Sequence, residues 1–479
     1  MNDLLTMSAA DIAKKIREKE ISPVEVMDIH LARMEEVNPK INAVVVPRFD
    51  EARKEAKLAE AQLTGSGRKD LPPLFGVPCT IKDTYAMAGL PWAGGLWKRR
   101  DKVPDFNATV VERVIASGAI IMGKTNVPEA AMWVESYNYV YGRSRNPYDL
   151  SRGVGGSSGG EGAIIASGAS PFGIGSDVGG SIRYPSAFNG IPGHKPTGCR
   201  VPGHGHWPEA TGAIAKYNTY GPMARRVADL APLLNLIQGP DGKDSIVEDR
   251  GPVVPEEVDR KKLRVFYFES NGLARVDADV RRAVDLCAGA LRGEGLPVEY
   301  WRPEGVKRSL EIWQAGMSQN PHPFVNIMGD GEAISLMKET MLFLRRRGKI
   351  TLPALAVALV EKPGQLFSGR NRKILALADD LRRRIEERLS DNGVLICPVF
   401  STPAPKHGYV WADLLGIGYS GLINILGFPS TVVPVYYNEQ GLPVSVQVIA
   451  ARWNDQLTLS AGGLIEEIFG GWRPPEKIG

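Results

Sequence analysis

Residues 152–197 read RGVGGSSGGEGAIIASGASPFGIGSDVGGSIRYPSAFNGIPGHKPT. Glycine is dense here, yet the stretch neither repeats nor falls into low complexity. Such usage belongs to backbone that turns tightly or lies close to a ligand. Ser157 and Ser158 sit between glycine pairs in GGSSGG, and a second turn, DVGGS, ends at Ser181. A flexible Gly/Ser linker would account for the first alone, and an ordinary turn for the second. A third piece lies upstream, where Lys82 closes the apolar run FGVPCTIK (Phe75–Lys82) and is followed by Asp83. Taken singly, it is a strand-end lysine in water. The three pieces in order, each beside apolar structure, point to a site.

Outward from this core the chain alternates. The first 60 residues read as helices, with Ser8 and Ser22 as N-caps and Pro23 at a first helical position. Residues 107–117 read as a helix and 119–122 as a buried strand. Beyond residue 260, LRVFYF, PVEYW, VLICPV, STVVPVYY and VSVQVIA read as strands. Helical patterns fill 277–293, 305–317, 332–346 and 370–389. No linker, repeat or charge run divides the chain. The expectation is an α/β fold: a single large domain over 1–479, with a mixed β-sheet core covered by helices on both faces. The catalytic core would span about 70–230, and a mostly helical region over 260–390 would cover the pocket.

Two local patterns mimic other chemistry. GAIIMGKT (Gly118–Thr125) has the spacing of a phosphate-binding loop. That loop needs exposed backbone N–H groups and a helix starting at its Lys–Thr end. Ala-Ile-Ile-Met suits a buried strand instead, and Pro128 opposes such a helix. GGSSG (Gly155–Gly159) fits the nucleophile elbow of an α/β-hydrolase esterase, which needs a strand just before it and a histidine later. The preceding DLSRGV is a loop, and of the six histidines the main later candidates, His322 and His407, sit in no telling context.

Bulk properties narrow the class. The chain has 479 residues, 43% of them hydrophobic, with 58 basic and 54 acidic residues and a net charge of +4. This balance gives no reason to expect nucleic acid as a partner. Cys79, Cys199, Cys287 and Cys397 form no CxxC pair, so neither a disulfide framework nor a zinc site is expected, and a reduced, cytoplasmic setting fits. No run reaches about 18 apolar residues, so no membrane span is expected. No cofactor or metal is called for. Oligomeric state is not legible, and a homodimer stays open.

The motifs resemble the amidase signature family, and the match covers nearly the whole chain. Residues 152–197 carry its most specific part. LFGVPCTIKD, GAIIMGKTNVPE, GFPSTVVPV and GLPVSVQVIA agree as well. The resemblance implies that Lys82 is the catalytic lysine, Ser157 a bridging serine held in a cis conformation, and Ser181 the nucleophile. The 24-residue spacing of the two serines agrees with the family. Val178, Gly179, Gly180 and Ser181 would form the oxyanion loop, braced by Ser158, Asp177 and Arg183. Met132, Trp133 and Tyr137 fall where family members line the acyl pocket, with ordinary core packing as the alternative. Glu161, the run Ser170–Gly190 and the C-terminal stretches look like the fatty acid amide hydrolase branch. The glutamine-hydrolysing members that serve tRNA-dependent amidotransferases place an aspartate about a dozen residues before the late Gly-x-Pro turn, where this chain has Ile417.

The implied reaction is hydrolysis of an aryl, aminoacyl or fatty acyl amide, a small-molecule substrate, through an acyl-enzyme on Ser181, releasing an amine or ammonia and a carboxylic acid. The implied relay contains no histidine. A serine hydroxyl is a poor nucleophile until a base takes its proton, and a lysine serves only when burial keeps it neutral. The oxyanion needs fixed N–H donors, and glycines at 179 and 180 let a carbonyl approach. Asp83 would oppose Lys82 neutrality if it pointed inward, so it is expected to point away.

One segment is left over: MLFLRRRGKITLPALAVALVEKPGQLF, residues 341–367. It suits either a membrane-touching cap or two packed helices with Ile350–Val360 buried and Arg345–Arg347 solvated, and the packed pair is the reading adopted.

Overall fold

Strands that are apolar along their whole length need cover on both faces, and helices supply it. The computed structural model describes residues 2–65, 71–365 and 368–478. Its strands are β1 (Val44–Pro47), β2 (Pro78–Lys82), β3 (Ile120–Thr125), β4 (Tyr137–Asn138), β5 (Gly142–Arg143), β6 (Phe172–Asp177), β7 (Gly193–Lys195), β8 (Thr219–Ala224), β9 (Arg264–Tyr267), β10 (Val298–Tyr300), β11 (Gly393–Pro398), β12 (Ser430–Tyr437) and β13 (Pro443–Ile449). Eleven form one sheet in the order β1-β3-β2-β6-β8-β7-β12-β13-β11-β9-β10, and β4 and β5 pair as a separate ribbon. The sheet is mixed. β3, β2 and β6 run parallel, as do β11, β9 and β10, while β6–β8 and β12–β13 are antiparallel. Every residue of β2, β3, β6 and β11 is buried. The α/β single-domain expectation holds.

Local chemistry sets the helix ends. Ser8 Oγ accepts from Asp11 N–H and Ser22 Oγ from Glu25 N–H, and Pro23 opens the helix Pro23–Ile41. Where the first 60 residues were read as helical throughout, β1 intervenes. It is four residues long, too short to leave a pattern, and it exists because β3 pairs with it. β2 begins at Pro78 rather than Phe75, because Phe75 and Val77 give their N–H groups to Pro72 and Leu74 in turns. Gly118–Thr125 does not wrap a phosphate. It leads into the buried strand β3, and Lys124 pairs with Asp83 at 2.8 Å. Asp83 therefore points away from Lys82.

By length and composition the stretch Tyr409–Leu426 is apolar enough to cross a membrane, which the sequence reading did not foresee. It is not one straight rod: Asp413 is non-helical, and every residue from Gly418 to Leu426 is buried, as in a core helix.

Two features of this topology place the site. β2 and β6 are parallel neighbours, so Lys82 and the loop after Asp177 leave the sheet at the same edge, where α/β sheets hold ligands. The helix Ser309–Met317 packs on the helix Ile417–Leu426 and reaches this edge from the late half of the chain.

Candidate active site

Lys82 is fully buried at the end of β2. Burial pulls its ammonium down to about 7, while Asp177 and Glu161 pull the other way. Its Nζ lies 2.7 Å from Ser157 Oγ and 2.8 Å from Ser176 Oγ, with Ser176 O at 3.4 Å. The Gly156–Ser157 peptide is cis. Gly156 has no room for a side chain, since a Cβ there would meet Trp133 O at 2.3 Å. GGSSGG is thus a packed loop, and it runs into the helix Gly159–Ala166, all of it buried.

The second loop is wired from within. Asp177 and Arg183, both fully buried, meet twice, Nε to Oδ2 at 3.0 Å and Nη2 to Oδ1 at 2.9 Å. Burial works against the Asp177 charge, but Arg183 outweighs it and holds the carboxyl well below its usual range. Asp177 also accepts from Gly180 N–H at 2.7 Å and Ile182 N–H at 3.0 Å. Of the four residues implied for the oxyanion loop, Gly180 therefore has its N–H committed, whereas Gly179 and Ser181 carry N–H groups with no acceptor among the described residues. The loop carbonyls are tied outward: Tyr184 Oη donates to Gly179 O at 2.5 Å and Trp313 Nε1 to Val178 O at 3.0 Å. Gly180 sits at φ +120°, and a Cβ would strike the Tyr184 ring at 2.1 Å. Ser158 N–H donates to Ser181 O at 3.1 Å, joining the two loops. Ser181 is partly exposed within otherwise buried surroundings, and its hydroxyl makes no hydrogen bond among the described residues.

Residues 25–459 match the family model described as Amidase. The chain belongs to the amidase signature family. It is 37% identical to fatty-acid amide hydrolase 2 of Homo sapiens, over 99% of this chain and 91% of that protein. It is 31% identical to the indoleacetamide hydrolase of Bradyrhizobium diazoefficiens, over 97% of this chain and 86% of that one. A bacterial aryl acylamidase of the amidase signature family superposes with a TM-score of 0.81 at 25% identity, covering 96% of each chain. The protein is an amide hydrolase.

In this amidase the three pocket candidates part company. Trp133 has its backbone against Gly156 and its indole 4.4 Å from Trp411. Met132 packs on a separate cluster that includes Phe324 and Ala354. Tyr137 lies on the β4–β5 ribbon, with Tyr139 at its edge and Arg143 over its ring. Ile417 starts a helix beside the loop: its carbonyl oxygen lies 3.2 Å from the same Tyr184 hydroxyl. The Ile417 side chain itself packs on the cluster that includes Val399 and Phe400.

The elbow reading fails on geometry. No strand precedes Ser157 among the described residues of its loop, His407 is held by Glu135 at 2.7 Å and Leu150 O at 3.1 Å, and His322 is exposed. Sequence reasoning missed Ser176, Trp313, Tyr184, Asn424 and His206. Asn424 donates to Asp177 Oδ1 at 3.0 Å, and His206 Nε2 lies 2.9 Å from Ser176 Oγ. The one signal for His206 was its place in GHGHWP, a stretch in which a glycine precedes each of its two histidines. Among the described residues no three His, Cys, Asp or Glu side chains are arranged to hold a metal ion.

Proposed function

We propose that the protein hydrolyses carboxylic amides through an acyl-enzyme on Ser181, with Ser157 passing the proton to a neutral Lys82. The observation that carries this reading is Lys82 itself: fully buried, drawn to about 7, and 2.7 Å from Ser157. Ser181 Oγ attacks the amide carbon while its proton moves to Ser157 and the proton of Ser157 moves to Lys82. The tetrahedral oxyanion is met by the N–H groups of Gly179 and Ser181. The relay then runs in reverse, the departing nitrogen takes the proton, and the C–N bond breaks. Water enters by the same path and releases the acid. Approach of substrate brings the Ser181 hydroxyl into the relay, since catalytic hydrogen bonds commonly tighten only in the complex.

For substrate, the reading is an aryl, aminoacyl or fatty acyl amide. Trp133 against Trp411, and Trp313 on the oxyanion loop, supply flat apolar walls. The names of the human, Bradyrhizobium and aryl acylamidase relatives agree with such acyl groups. Ile417 disfavours glutamine, whose ammonium would meet an apolar side chain.

A surface reading is supported by one observation: Met337, Met341 and Leu344 form an exposed apolar stripe on one face of the helix Leu336–Leu344, followed by the exposed Arg345, Arg346 and Arg347. Contact with an anionic lipid surface would cover it.

The test of the chemistry is direct. Ser181→Ala should abolish both amide hydrolysis and labelling by a fluorophosphonate probe while circular dichroism stays unchanged. Labelling that maps to Ser157 or Ser158 in the wild type would overturn the assignment.

A further inference from the structure

The hydrogen bonds around Lys82 have a direction, and a histidine sets it. His206 is buried between the rings of Tyr85 and Tyr220, at centroid distances of 5.3 and 5.1 Å. Its Nδ1 lies 3.0 Å from the carbonyl oxygen of Pro208, which can only accept, so Nδ1 carries the proton. In the neutral ring Nε2 is then bare and can only accept. The atom 2.9 Å from it is Ser176 Oγ, so the Ser176 hydroxyl hydrogen points at His206. A hydroxyl has one hydrogen. Toward Lys82, 2.8 Å away, Ser176 Oγ can therefore only accept. Ser176 O, at 3.4 Å, is likewise only an acceptor.

We infer that His206 is a positioning residue: through Ser176 it claims one of the two hydrogens of the neutral Lys82 amine, Ser176 O takes the other, and the lone pair is left aimed at the Ser157 hydroxyl. This rests on the relay proposed above. Without the histidine, Ser176 is free to turn its hydrogen toward Lys82 and compete with Ser157 for the lone pair. No group other than Pro208 O, Ser176, Tyr85 and Tyr220 faces the ring in the hydrogen-bond and ring contacts of the described residues, and the titratable groups around Lys82 are Asp177 and Glu161. Burial, aided by Lys82, lowers His206 to about 3, which keeps the ring neutral while Lys82 titrates.

The sign of the effect on Lys82 follows from the same count of hydrogens. In the wild type the Ser176 hydrogen stays on His206 whether Lys82 is amine or ammonium. With no acceptor at 206, the ammonium form forces Ser176 to accept from Lys82 and strands its hydrogen in a buried site, which disfavours the ammonium. Loss of His206 therefore moves the acidic limb of the rate profile to lower pH.

Two measurements test this. In the full-length wild type carrying 15N-labelled histidine, the His206 ring should show a protonated Nδ1 and a bare Nε2 across the range in which activity appears. A protonated Nε2 overturns the proposal without touching the relay, whose own test is labelling of Ser181. Second, His206→Phe keeps a ring between the two tyrosines but offers no acceptor. Its kcat should fall about 10–100-fold, less than the roughly 10²–10⁴-fold that losing an acid–base group outright would cost, with KM little changed and the acidic limb of the pH profile displaced downward. His206→Gln, whose amide oxygen can accept from Ser176, should restore the limb and most of kcat. A folded His206→Phe with wild-type kcat and limb refutes the proposal. So does one whose loss of activity leaves the limb in place and is not relieved by glutamine.

Discussion

At Lys82 two forces compete, and their balance sets the working pH. An ordinary lysine is protonated throughout the neutral range, but full burial draws this one down to about 7 against the pull of Asp177. As the proposed base it acts only when neutral, so kcat/KM should rise as pH passes about 7 and level off above it. A profile that falls through that range would contradict the assignment. Lys82→Ala should cost at least the roughly 10²–10⁴-fold of general acid–base catalysis. Activated esters should lose less than amides, because their leaving groups need little protonation. Lys82, Ser157 and Ser181 stood out as candidates in the sequence because each sits in a chain-local motif beside glycines or apolar neighbours, and the structure brings Lys82 within 2.7 Å of Ser157. His206 and Ser176 were not. The role inferred for them rests on the direction of hydrogen bonds that form only when the loop Gly203–Pro208 folds back on β6, and nothing in the residue order carries that direction.

Among the elements, the helix Gly159–Ala166 does more than follow the GGSSGG loop. It carries Glu161 under β2 and β3, where Thr80 Oγ1 donates at 2.6 Å and Thr125 Oγ1 at 3.0 Å. Gly173 makes the room, since a Cβ there would meet Glu161 Oε2 at 2.0 Å. Burial outweighs those hydrogen bonds and raises the carboxyl to about 8. The folded protein thus prefers Glu161 protonated. Its stabilising share is complete below the ordinary carboxylate pKa, and is lost as pH rises through about 8. Glutamine at this position stays neutral, so Glu161→Gln should gain melting temperature over wild type as pH goes from about 5 to about 9. A difference that is flat across that range would mean the carboxyl ionises freely in the folded state. The sequence marked Glu161 as unusual but could not supply Thr80 and Thr125, which reach it from strands 81 and 36 residues away. Trp313 and Asn424 escaped notice for the same reason: they come from late helices, and only the packing of Ser309–Met317 on Ile417–Leu426 brings them to the loop after β6.

On the scale of the whole molecule, the late helices meet solvent unevenly. The packed-helix reading of residues 341–367 holds for Ile350, Ala354, Leu355 and Ala358, which are buried with Phe324 and Leu336, and for the exposed Arg345–Arg347; Leu366 and Phe367 lie outside the described residues. It does not hold for Leu344, which is 69% exposed, nor for Leu352 and Leu359, and Met337, just ahead of the segment, is 79% exposed as well. Periodicity placed these residues on helices correctly, yet it could not say which stripe would find a partner within the chain. An apolar stripe beside three arginines has two favourable terms at an anionic lipid surface, burial of the side chains and attraction of the charges, and only the second is screened by salt. Sedimentation with anionic vesicles should therefore show binding at low ionic strength that weakens as salt is added and persists poorly on neutral vesicles. Arg345–Arg347 replaced together by glutamine should lose the salt-sensitive part. Met337 and Leu344 replaced by serine should lose the remainder, and both variants should hydrolyse a short soluble amide at the wild-type rate, because neither set touches Lys82, Ser157 or Ser181. Absence of binding at low salt would show that this stripe stays in water and would remove the surface contact from the proposed function, leaving the amidase chemistry as it stands.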